Sequence, residues 1–368
     1  MAVTGSGQIK LSDIYDEFTG THSSQEIQLS DYHDEGNAPA SGEIQLAADF
    51  YGTSSMPGWL GLRGIQAGGT ISGTHGTNQM QYQTVTSSSD TADFGNLTVG
   101  RTYAAPACTG GGRMVFGDGS AGSVYAFNMM DYVTAANTGN ATDFGDLAAN
   151  SGGSGGLGVS NGTNAVYGAG FDLNEGVDGG VYRDVDYSYV VIMTTGNSVD
   201  MGDLSVGKNW IGSTSGSERG IIFGGATASS GGGTNVMEWL NASTGNSSDF
   251  GDLSAVTYDG YSAADETRAV HFFGHKVISG TTYLQNMIEY VTVASTGNST
   301  DFGDQTTDAI TSHGALCDGT YAETWGGYSA GTSHHDQRYR VTVQSTGNAS
   351  DFADLSVPAN TWNSMGTG

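Results

Sequence analysis

Basic side chains are scarce in this chain. Lysine and arginine together number 11, against 38 aspartates and glutamates, so the formal net charge of the 368 residues is −27 at pH 7. The basic residues are scattered along the sequence. Binding to nucleic acid or to an anionic lipid surface requires a concentrated positive patch. We therefore expect no nucleic-acid partner and no membrane insertion.

Long apolar runs, proline and cysteine are also scarce. No run reaches the length of a membrane-spanning helix, and residues 1–7 lack the charged and apolar regions of a signal peptide. We therefore expect synthesis in a cytoplasm. The chain has four prolines and two cysteines. Cys108 and Cys317 take equivalent places in repeats that are not neighbours, which predicts two buried thiols rather than a disulfide.

Glycine is abundant, with 60 residues, and it is part of a repeated sequence motif, which we call the phrase. The clearest copy is Ser-Thr-Gly-Asn-Ser-Thr-Asp-Phe-Gly-Asp at 295–304, and versions of it occur six times. The Asp before the aromatic or Met position recurs at steps of 50, 57, 49, 52 and 50 residues, at Asp93, Asp143, Asp200, Asp249, Asp301 and Asp351. A period near 50 residues indicates a propeller or a solenoid.

The pattern inside each period predicts four short strands. A short apolar strand comes first and opens with an arginine in four periods, at Arg63, Arg113, Arg219 and Arg268. A variable loop and an aromatic, β-branched strand follow. Thr-Gly-Asn then predicts a tight turn, because Gly and Asn both tolerate positive φ. The Asp-Phe-Gly-Asp strand and a small-residue strand complete the period, and four antiparallel strands make one propeller blade.

The predicted fold is therefore all-β, a six-bladed β-propeller with four-stranded blades over residues 57–368. Residues 356–366 match the innermost strand of a blade, whereas the strand at Arg63 has no such strand upstream. We expect the C-terminal strand to pair with the first blade and close the ring, because closure removes the free sheet edges.

Residues 1–56 carry a different repeat, with the alternation Ile-x-Leu. Its three copies contain Ile9 and Leu11, Ile27 and Leu29, and Ile44 and Leu46. Alternation of this kind is typical of a strand, but units of 17 or 18 residues are too small to bury a core alone. We interpret residues 1–56 as a docking segment. A structured extension without a specific partner is the alternative.

The period, the Gly pair, the Tyr-bearing strand and the hairpin resemble kelch-type propeller repeats, with Phe in the phrase where kelch repeats have Trp. The sequence from Tyr290 to Asp304 is similar to repeats in virion-associated proteins of marine bacteriophages, including cyanophages. The segment 42–51 is similar to N-terminal pieces of phage tail or fibre proteins. The resemblance implies a virion protein made in the host cytoplasm, with residues 1–56 docking onto other virion proteins.

Asp-Phe-Gly is also the magnesium-binding motif of protein kinases, but six copies without the other kinase motifs indicate a structural role. We expect the repeated Asp to cap the hairpin turn or to pair with an arginine, such as Arg113, Arg219 or Arg268. Adventitious calcium binding by the Asp pairs is the alternative, because calcium prefers oxygen ligands. We expect no cofactor.

Histidines are the best source of catalytic or metal-ligating groups. The sequence His334-His335-Asp336 offers ligands, with His275 and His313 in neighbouring repeats. No Glu or Cys stands beside them at a ligand spacing, and no carboxylate pair for glycoside cleavage can be singled out. We therefore expect no enzyme and no metal site.

Variable loops on a rigid scaffold are where recognition usually resides. The loops after the apolar strands cover 118–128, 170–186, 226–235, 275–285 and 328–337. We interpret their aromatic and histidine residues as ligand-binding: Tyr125, Phe127, Phe171, Tyr182, Tyr283, Tyr328, His334 and His335. Aromatic faces beside carboxylates and carboxamides suit sugars.

The expected function is that of a bacteriophage virion protein, on the tail, a fibre or the capsid. Its propeller would recognise the host surface, either a polysaccharide or a protein, through the loops. A decoration or assembly protein without a ligand is the first alternative, and an enzyme acting on glycans is the second.

Overall fold

The computed structural model shows an all-β chain. It describes residues 63–71, 74–120, 128–148, 155–172, 182–216, 219–227, 232–278, 281–305, 310–311, 314–329, 333–356 and 364–367. In this part of the chain, no helix is long and apolar enough to cross a membrane. The expectations for residues 1–56 lie outside the described residues.

Six four-stranded antiparallel sheets form the blades of a six-bladed β-propeller, as the sequence predicts. From the innermost strand outward, blade 1 consists of Ser364–Thr367, Arg63–Ala67, Gln79–Thr84 and Ala92–Asn96, and blade 2 consists of Cys108–Gly110, Arg113–Gly117, Met129–Thr134 and Thr142–Asp146. In the same order, blade 3 consists of Leu157–Ser160, Asn164–Asp172, Tyr182–Val191 and Val199–Asp203, and blade 4 consists of Gly212–Gly216, Arg219–Phe223, Thr234–Asn241 and Thr244–Thr257. Blade 5 consists of Tyr261–Ala264, Arg268–Phe272, Met287–Thr292 and Thr300–Asp304, and blade 6 consists of Gly314–Cys317, Tyr321–Trp325, Gln337–Thr342 and Ser350–Asp354.

Among the described residues, three small sheets stand outside the blades. Thr70–Ile71 pairs with Thr74–His75, and His275–Ile278 pairs with Thr281–Leu284. Tyr328–Ser329 lies between Ile310–Thr311 and Ser333–His334.

The C-terminal strand closes the ring, which confirms the prediction. Ser364–Thr367 pairs antiparallel with Arg63–Ala67, so that Ile65 lies opposite Gly366. The inner strands of successive blades lie side by side. The C-terminal strand, which is the inner strand of blade 1, lies between the inner strands of blades 6 and 2. Each pair of adjacent blades encloses its own cluster of buried apolar side chains. The core is therefore divided between the blade interfaces.

The aromatic position of the repeated phrase is a β-bulge. In blade 1, Met80 lies opposite Gly95 and Gln81 lies opposite Asp93, so Phe94 is the extra residue on the outer strand. The same shift occurs in the other five blades. The Phe94 ring packs edge-on against Tyr82 of the same blade, with the ring centroids 5.6 Å apart. A bulge leaves the backbone of its extra residue outside the hydrogen-bond ladder, so this backbone is available to bond to the next blade.

The freed backbone of the bulge binds the next blade. The N–H of Gly139, in the Thr-Gly-Asn turn of blade 2, donates to the Phe94 carbonyl at 2.7 Å. The Asn140 carboxamide oxygen accepts from the Asn96 N–H at 3.1 Å. The same Gly and Asn bonds recur at the interfaces of blades 2 and 3, 4 and 5, and 5 and 6, and the Asn bond also recurs between blades 3 and 4. We call this arrangement the Gly-Asn clasp.

The sequence-based prediction that Asn supplies positive φ in the turn is wrong. None of the five clasp asparagines has positive φ in the structure, so Asn is present for its carboxamide oxygen and not for a left-handed backbone. The expected turn-capping role of the repeated Asp is also wrong. The Asp carboxylates that precede the bulge are exposed, and the amide groups beside the bulge donate to Asn instead.

The glycine after the bulge is required by close approach. Gly95 has φ of +140°, and a Cβ atom there would lie 2.2 Å from the Gly139 carbonyl oxygen. Only glycine allows the two backbones to meet at this distance. The phrase therefore contains both halves of an interface: its Thr-Gly-Asn binds the preceding blade, and its Phe-Gly binds the following one.

The strand-opening arginines also join adjacent blades, and the expectation that they pair with the repeated Asp is wrong. The Arg113 guanidinium donates to the Ile192 carbonyl of blade 3 at 3.0 Å and lies 4.1 Å from the centre of the Tyr132 ring. Corresponding side-chain bonds to the next blade recur around the ring, from Arg63, Asn164, Arg219, Arg268 and Arg340.

The interface between blades 6 and 1 uses different chemistry. Blade 6 has Ala353 where the other blades have glycine, and the facing turn of blade 1 has serines in place of Thr-Gly-Asn. Glu323 and Arg338, both fully buried, form an ion pair at 2.8 Å. Arg338 donates across the interface to the carbonyls of Ser87 and Ser89, at 3.2 and 3.1 Å. The two departures from the repeat thus lie on opposite sides of the interface that closes the ring.

The propeller has two distinct ends. The turns between third and outer strands and those between inner and second strands lie at one end, which we call the turn face; Arg63, opposite Thr84, lies there. The loops between second and third strands and the crossovers from each outer strand to the next blade lie at the other end, which we call the loop face. The described chain thus begins on the turn face.

Cys108 and Cys317 are both buried and form no disulfide, which confirms the prediction. Burial raises the pKa of the Cys108 thiol to about 12. Burial likewise raises the pKa of the Cys317 thiol well above its usual value. Both groups are therefore neutral parts of the core.

Candidate functional site

The predicted ligand-binding residues that the structure describes all lie on the loop face. Phe171 is the penultimate residue of the long second strand of blade 3, and Tyr182 begins the third strand beside it. Tyr283 belongs to the small hairpin of blade 5, and 47% of its surface is exposed. Tyr125 and Phe127 lie outside the described residues.

The remaining predicted residues belong to blade 6. Tyr328 lies opposite His334 in the small sheet beside that blade. His335 is partly buried, and its Nδ1 lies 3.0 Å from the Gln337 carboxamide oxygen. These residues are spread over blades 3, 5 and 6, and the structure does not bring them together into one described pocket.

A more compact cluster lies where the inner strands of blades 2 to 5 begin. It is formed by the crossovers that lead into these strands, with Tyr103, Trp210, Asp259 and Tyr261 around a small cavity that Gly155 and Pro106 also line. We call this site the mouth. It lies on the loop face, at the ends of the strands closest to the propeller axis.

The backbone of the mouth is held in an unusual conformation. Tyr103, Trp210 and Asp259 have φ of 56°, 52° and 59°, and Gly155 has φ of 71°. Left-handed backbone costs a non-glycine residue about 1–2 kcal/mol. Hydrogen bonds between successive crossovers maintain it: Gly155 N–H to the Tyr103 carbonyl at 2.8 Å, and Asp259 N–H to the Trp210 carbonyl at 2.8 Å. Strained backbone of this kind is often found at functional sites.

Three rings form a stack at one side of the mouth. The half-buried Trp210 ring lies 5.6 Å from Tyr258, and Tyr258 lies 5.3 Å from His275, nearly parallel at 19°. The His275 Nδ1 is 3.3 Å from the Asp259 carboxylate. Tyr258 and His275 also exchange both backbone hydrogen bonds, at 3.0 and 2.8 Å. The stack therefore fixes the orientation of Trp210 and Asp259.

The two tyrosines of the mouth are neutral hydrogen-bonding groups. Burial, together with the negative charge of Asp259, raises the pKa of Tyr103 to about 12. Burial raises the pKa of Tyr261 well above its usual value, and Asp259 and Tyr103 add to the shift. Phenols with such pKa values keep their protons at neutral pH and can both donate and accept hydrogen bonds.

The mouth suits binding more than catalysis. The cavity of the mouth is small, with an empty volume of about 280 Å³ that includes open solvent. Aromatic rings beside a carboxylate and phenols offer apolar faces and hydrogen-bonding edges together.

The other charged groups near the crossovers belong to the scaffold. Lys208 pairs with Glu238 of blade 4 at 2.5 Å, and Arg101 pairs with Asp131 of blade 2. All four side chains are almost completely buried. Within the described part of the chain, no three His, Cys, Asp or Glu side chains are grouped as metal ligands. His275, which the sequence offered as a metal ligand, instead lies against Tyr258 and Asp259.

Sequence reasoning missed the mouth because it looked for ligand residues in the longest loops. A signal was present. The segments that precede the inner strands are rich in small residues, yet they contain Tyr103, Trp210 and the run Tyr258-Asp259-Gly260-Tyr261. Large aromatic residues in a segment of small ones could have indicated a site at the propeller axis.

Comparison with known proteins supports the fold alone. No protein-family model matches the sequence, and no curated protein does. Among solved structures, one titled "Structure of YjhT" is similar, with a TM-score of 0.62 and 13% sequence identity over 79% of this chain and 94% of that chain. The class that fold and site define is a six-bladed β-propeller with an aromatic site on its loop face. This architecture hosts both enzymes and binding proteins.

Proposed function

We propose that this protein is a glycan-binding propeller carried on a bacteriophage virion, where its loop face recognises the host surface. The observation that carries the proposal is the mouth: the half-buried rings of Tyr103, Trp210 and Tyr261 surround the Asp259 carboxylate on the face opposite Arg63. Apolar ring faces can cover the C–H face of a sugar, while the carboxylate and the phenols bind its hydroxyl groups.

The virion location rests on the sequence. The repeats from Tyr290 to Asp304 resemble those of marine phage virion proteins, and residues 1–56 precede a chain that begins, as far as it is described, on the turn face. An attachment on the turn face leaves the loop face open to the host. Binding at a single small site of this kind would be weak, and many copies on one particle would multiply the affinity.

A glycan array probed with the full chain tests the binding function. We expect selective binding that falls by at least about tenfold when Trp210→Ala removes an aromatic ring of the mouth. The control is Met193→Ala, which truncates a side chain with 54% exposure beside the turn of blade 3 on the turn face; it should leave binding unchanged. Binding that survives Trp210→Ala would contradict the assignment of the site.

The same array separates the alternatives. Release of reducing ends from a bound polysaccharide would show an enzyme. Failure to bind any glycan, with the protein folded, would favour a decoration or assembly role. Labelling intact particles with an antibody against this chain would test the virion location independently.

A further inference from the structure

Three apolar side chains are exposed in one hairpin on the turn face of blade 3. Val191 ends the third strand, Met193 lies in the turn that follows, and Val199 begins the outer strand. Their exposed fractions are 42%, 54% and 58%, and they are three of the six large apolar residues that are exposed in the described part of the chain. We call them the blade-3 patch.

The hairpin brings these side chains close together. Val199 lies opposite Tyr189, so Val191, two residues further along the third strand, is its diagonal neighbour on the same face of the hairpin. The Met193 side chain extends toward blade 2, where a Cβ atom at Gly111 would lie 2.6 Å from its Sδ. Gly111 belongs to the turn between the inner and second strands of blade 2, which also lies on the turn face.

The patch is a departure of blade 3 from the repeat. The ladder registers identify the equivalents of the two valines in each of the other blades. At all three positions the other five blades have only Thr, Ser, Asn, Gln or Ala, and blade 2 has Thr134, Ala136 and Thr142. A single exposed apolar residue is ordinary, but three in one turn, where the fold accepts polar residues, indicate a contact.

The size of the patch limits what can cover it. A stable interface between separate proteins buries roughly 800 Å² per partner and uses about 20–30 residues a side. Three half-exposed side chains fall far short of that, so a second copy of the chain would gain too little from this patch alone. A segment of the same chain needs less, because a tether gives it an effective concentration on the order of millimolar.

A segment with suitable side chains enters on the same face. Residues 1–62, which lie outside the described residues, lead into Arg63 on the turn face. The Ile and Leu of each Ile-x-Leu copy would lie on one face of an extended strand. The stretch 52–62 can extend over at most about 36–40 Å, which is more than twice the roughly 15 Å width of a four-stranded blade. The third copy can therefore reach blade 3.

We infer that the blade-3 patch is the docking site of one Ile-x-Leu copy of the same chain, whose Ile and Leu side chains cover Val191, Met193 and Val199. The inference does not depend on what the loop face binds. With three copies and one such patch on the described turn face, two copies remain for the other virion proteins that residues 1–56 are expected to dock onto.

Proteolysis of the full chain reports on each copy separately. Lys10 is the middle residue of the first copy and the only lysine or arginine before Arg63, so trypsin cuts within that copy. Glu26 and Glu43 directly precede the isoleucines of the other two copies, where a glutamate-specific protease cuts. We expect at least one of the three sites to be protected in the wild type, because a protease cuts only the undocked segment.

A triple variant removes the patch. Val191→Thr, Met193→Ala and Val199→Thr together introduce the residues that blade 2 carries, so the denaturant midpoint should be unchanged. The protected site should then be cut at least about tenfold faster, because the apolar burial is lost. Val199→Thr alone, a change of nearly equal size, should release the same site to a smaller extent. The control, Val206→Thr with Val256→Thr, changes valines with 54% and 39% exposure on the loop face and should preserve the protection.

Two results would overturn the inference. The first is equal cleavage rates in the wild type and the triple variant at all three sites. The second is a wild-type dimer at micromolar concentration, seen by analytical ultracentrifugation, that dissociates in the triple variant, because the patch would then be covered by a second copy. Both results leave the glycan-binding proposal untouched, since the glycan array tests it on the opposite face.

Discussion

Arg340 lies over the ring of Tyr321, with 4.4 Å between the guanidinium carbon and the ring centroid. In blade 5, Arg268 and Tyr290 form the same contact at 4.1 Å, but with the two residue types on opposite strands. Tyr321 opens the second strand of blade 6 where Arg268 opens that of blade 5, and the ladder registers confirm the exchange. Blade 6 therefore reverses the pair and keeps both the cation–π contact and the bond to the next blade.

The reversal brings Arg340 to a buried carboxylate. Its guanidinium binds Glu323, which also binds Arg338. Arg340→Met should therefore cost about 3 kcal/mol in the free energy of unfolding, because it weakens a buried ionic network. The control, Arg268→Met, removes the same cation–π contact and a carbonyl bond but no ion pair, and should cost about 1 kcal/mol. Equal losses in denaturant titrations would contradict this account of the closing interface.

The Gly-Asn clasp makes a second prediction about stability. A Cβ at Gly251 would lie 2.3 Å from the Gly297 carbonyl oxygen, so Gly251→Ala should separate blades 4 and 5 and destabilise the protein by about 2 kcal/mol or more. Ala353→Gly is the matched change at the interface without a clasp, and should alter stability by less than about 1 kcal/mol. Thermal unfolding followed by circular dichroism measures both. An unchanged melting temperature for Gly251→Ala would show that the clasp is looser than the structure indicates.

Ala169 offers a stabilising change. It is buried with φ of 52°, at a register irregularity within the second strand of blade 3, and it corresponds in the repeat to the first of the two glycines that follow the second strands of blades 1, 4 and 6. Ala169→Gly removes a left-handed strain of about 1–2 kcal/mol, offset in part by the greater freedom of glycine in the unfolded chain. We expect a net gain of about 0.5–1 kcal/mol. Ala165→Gly, in the second strand of the same blade, should instead destabilise.

The buried Cys108 thiol makes stability depend on alkaline pH. Its pKa rises from 9.0 to about 12 on folding, so above pH 9 the unfolded chain loses this proton while the folded protein keeps it. Unfolding then releases a proton, and the free energy of unfolding falls by up to about 1.4 kcal/mol per pH unit between pH 9 and 12. Below pH 9 the contribution is fully present.

Denaturant midpoints measured at pH 8, 10 and 11 check this prediction. Cys108→Ala should flatten the decline by one proton's share relative to the wild type. The thiol should also resist alkylation in the native protein and react once the chain is unfolded. Rapid labelling at pH 8 without unfolding would contradict the burial of Cys108.

The blade count, the strand order within each blade and the closing strand could all be predicted from the sequence. The number of repeats gives the number of blades, and the pattern inside one repeat gives the strands of one blade. The roles of individual repeat residues could not be predicted. Asn140 was expected to supply a turn conformation, and Arg113 a partner for Asp. Each bonds to the neighbouring blade instead, through contacts that join residues 44 and 79 positions apart. A pattern within one period does not show what the next blade presents.

The sequence by itself determined the propeller, since the period, the turn residues and the alternation of apolar positions act within one blade and need only local geometry. The tertiary structure alone decided which side chains meet at the mouth. Tyr103, Trp210 and Asp259 come from three different crossovers, and only closure of the ring brings those crossovers to one axis. The same closure sets Glu323, Arg338 and Arg340 of blade 6 against Val85, Ser87 and Ser89 of blade 1, at an interface between residues some 250 positions apart.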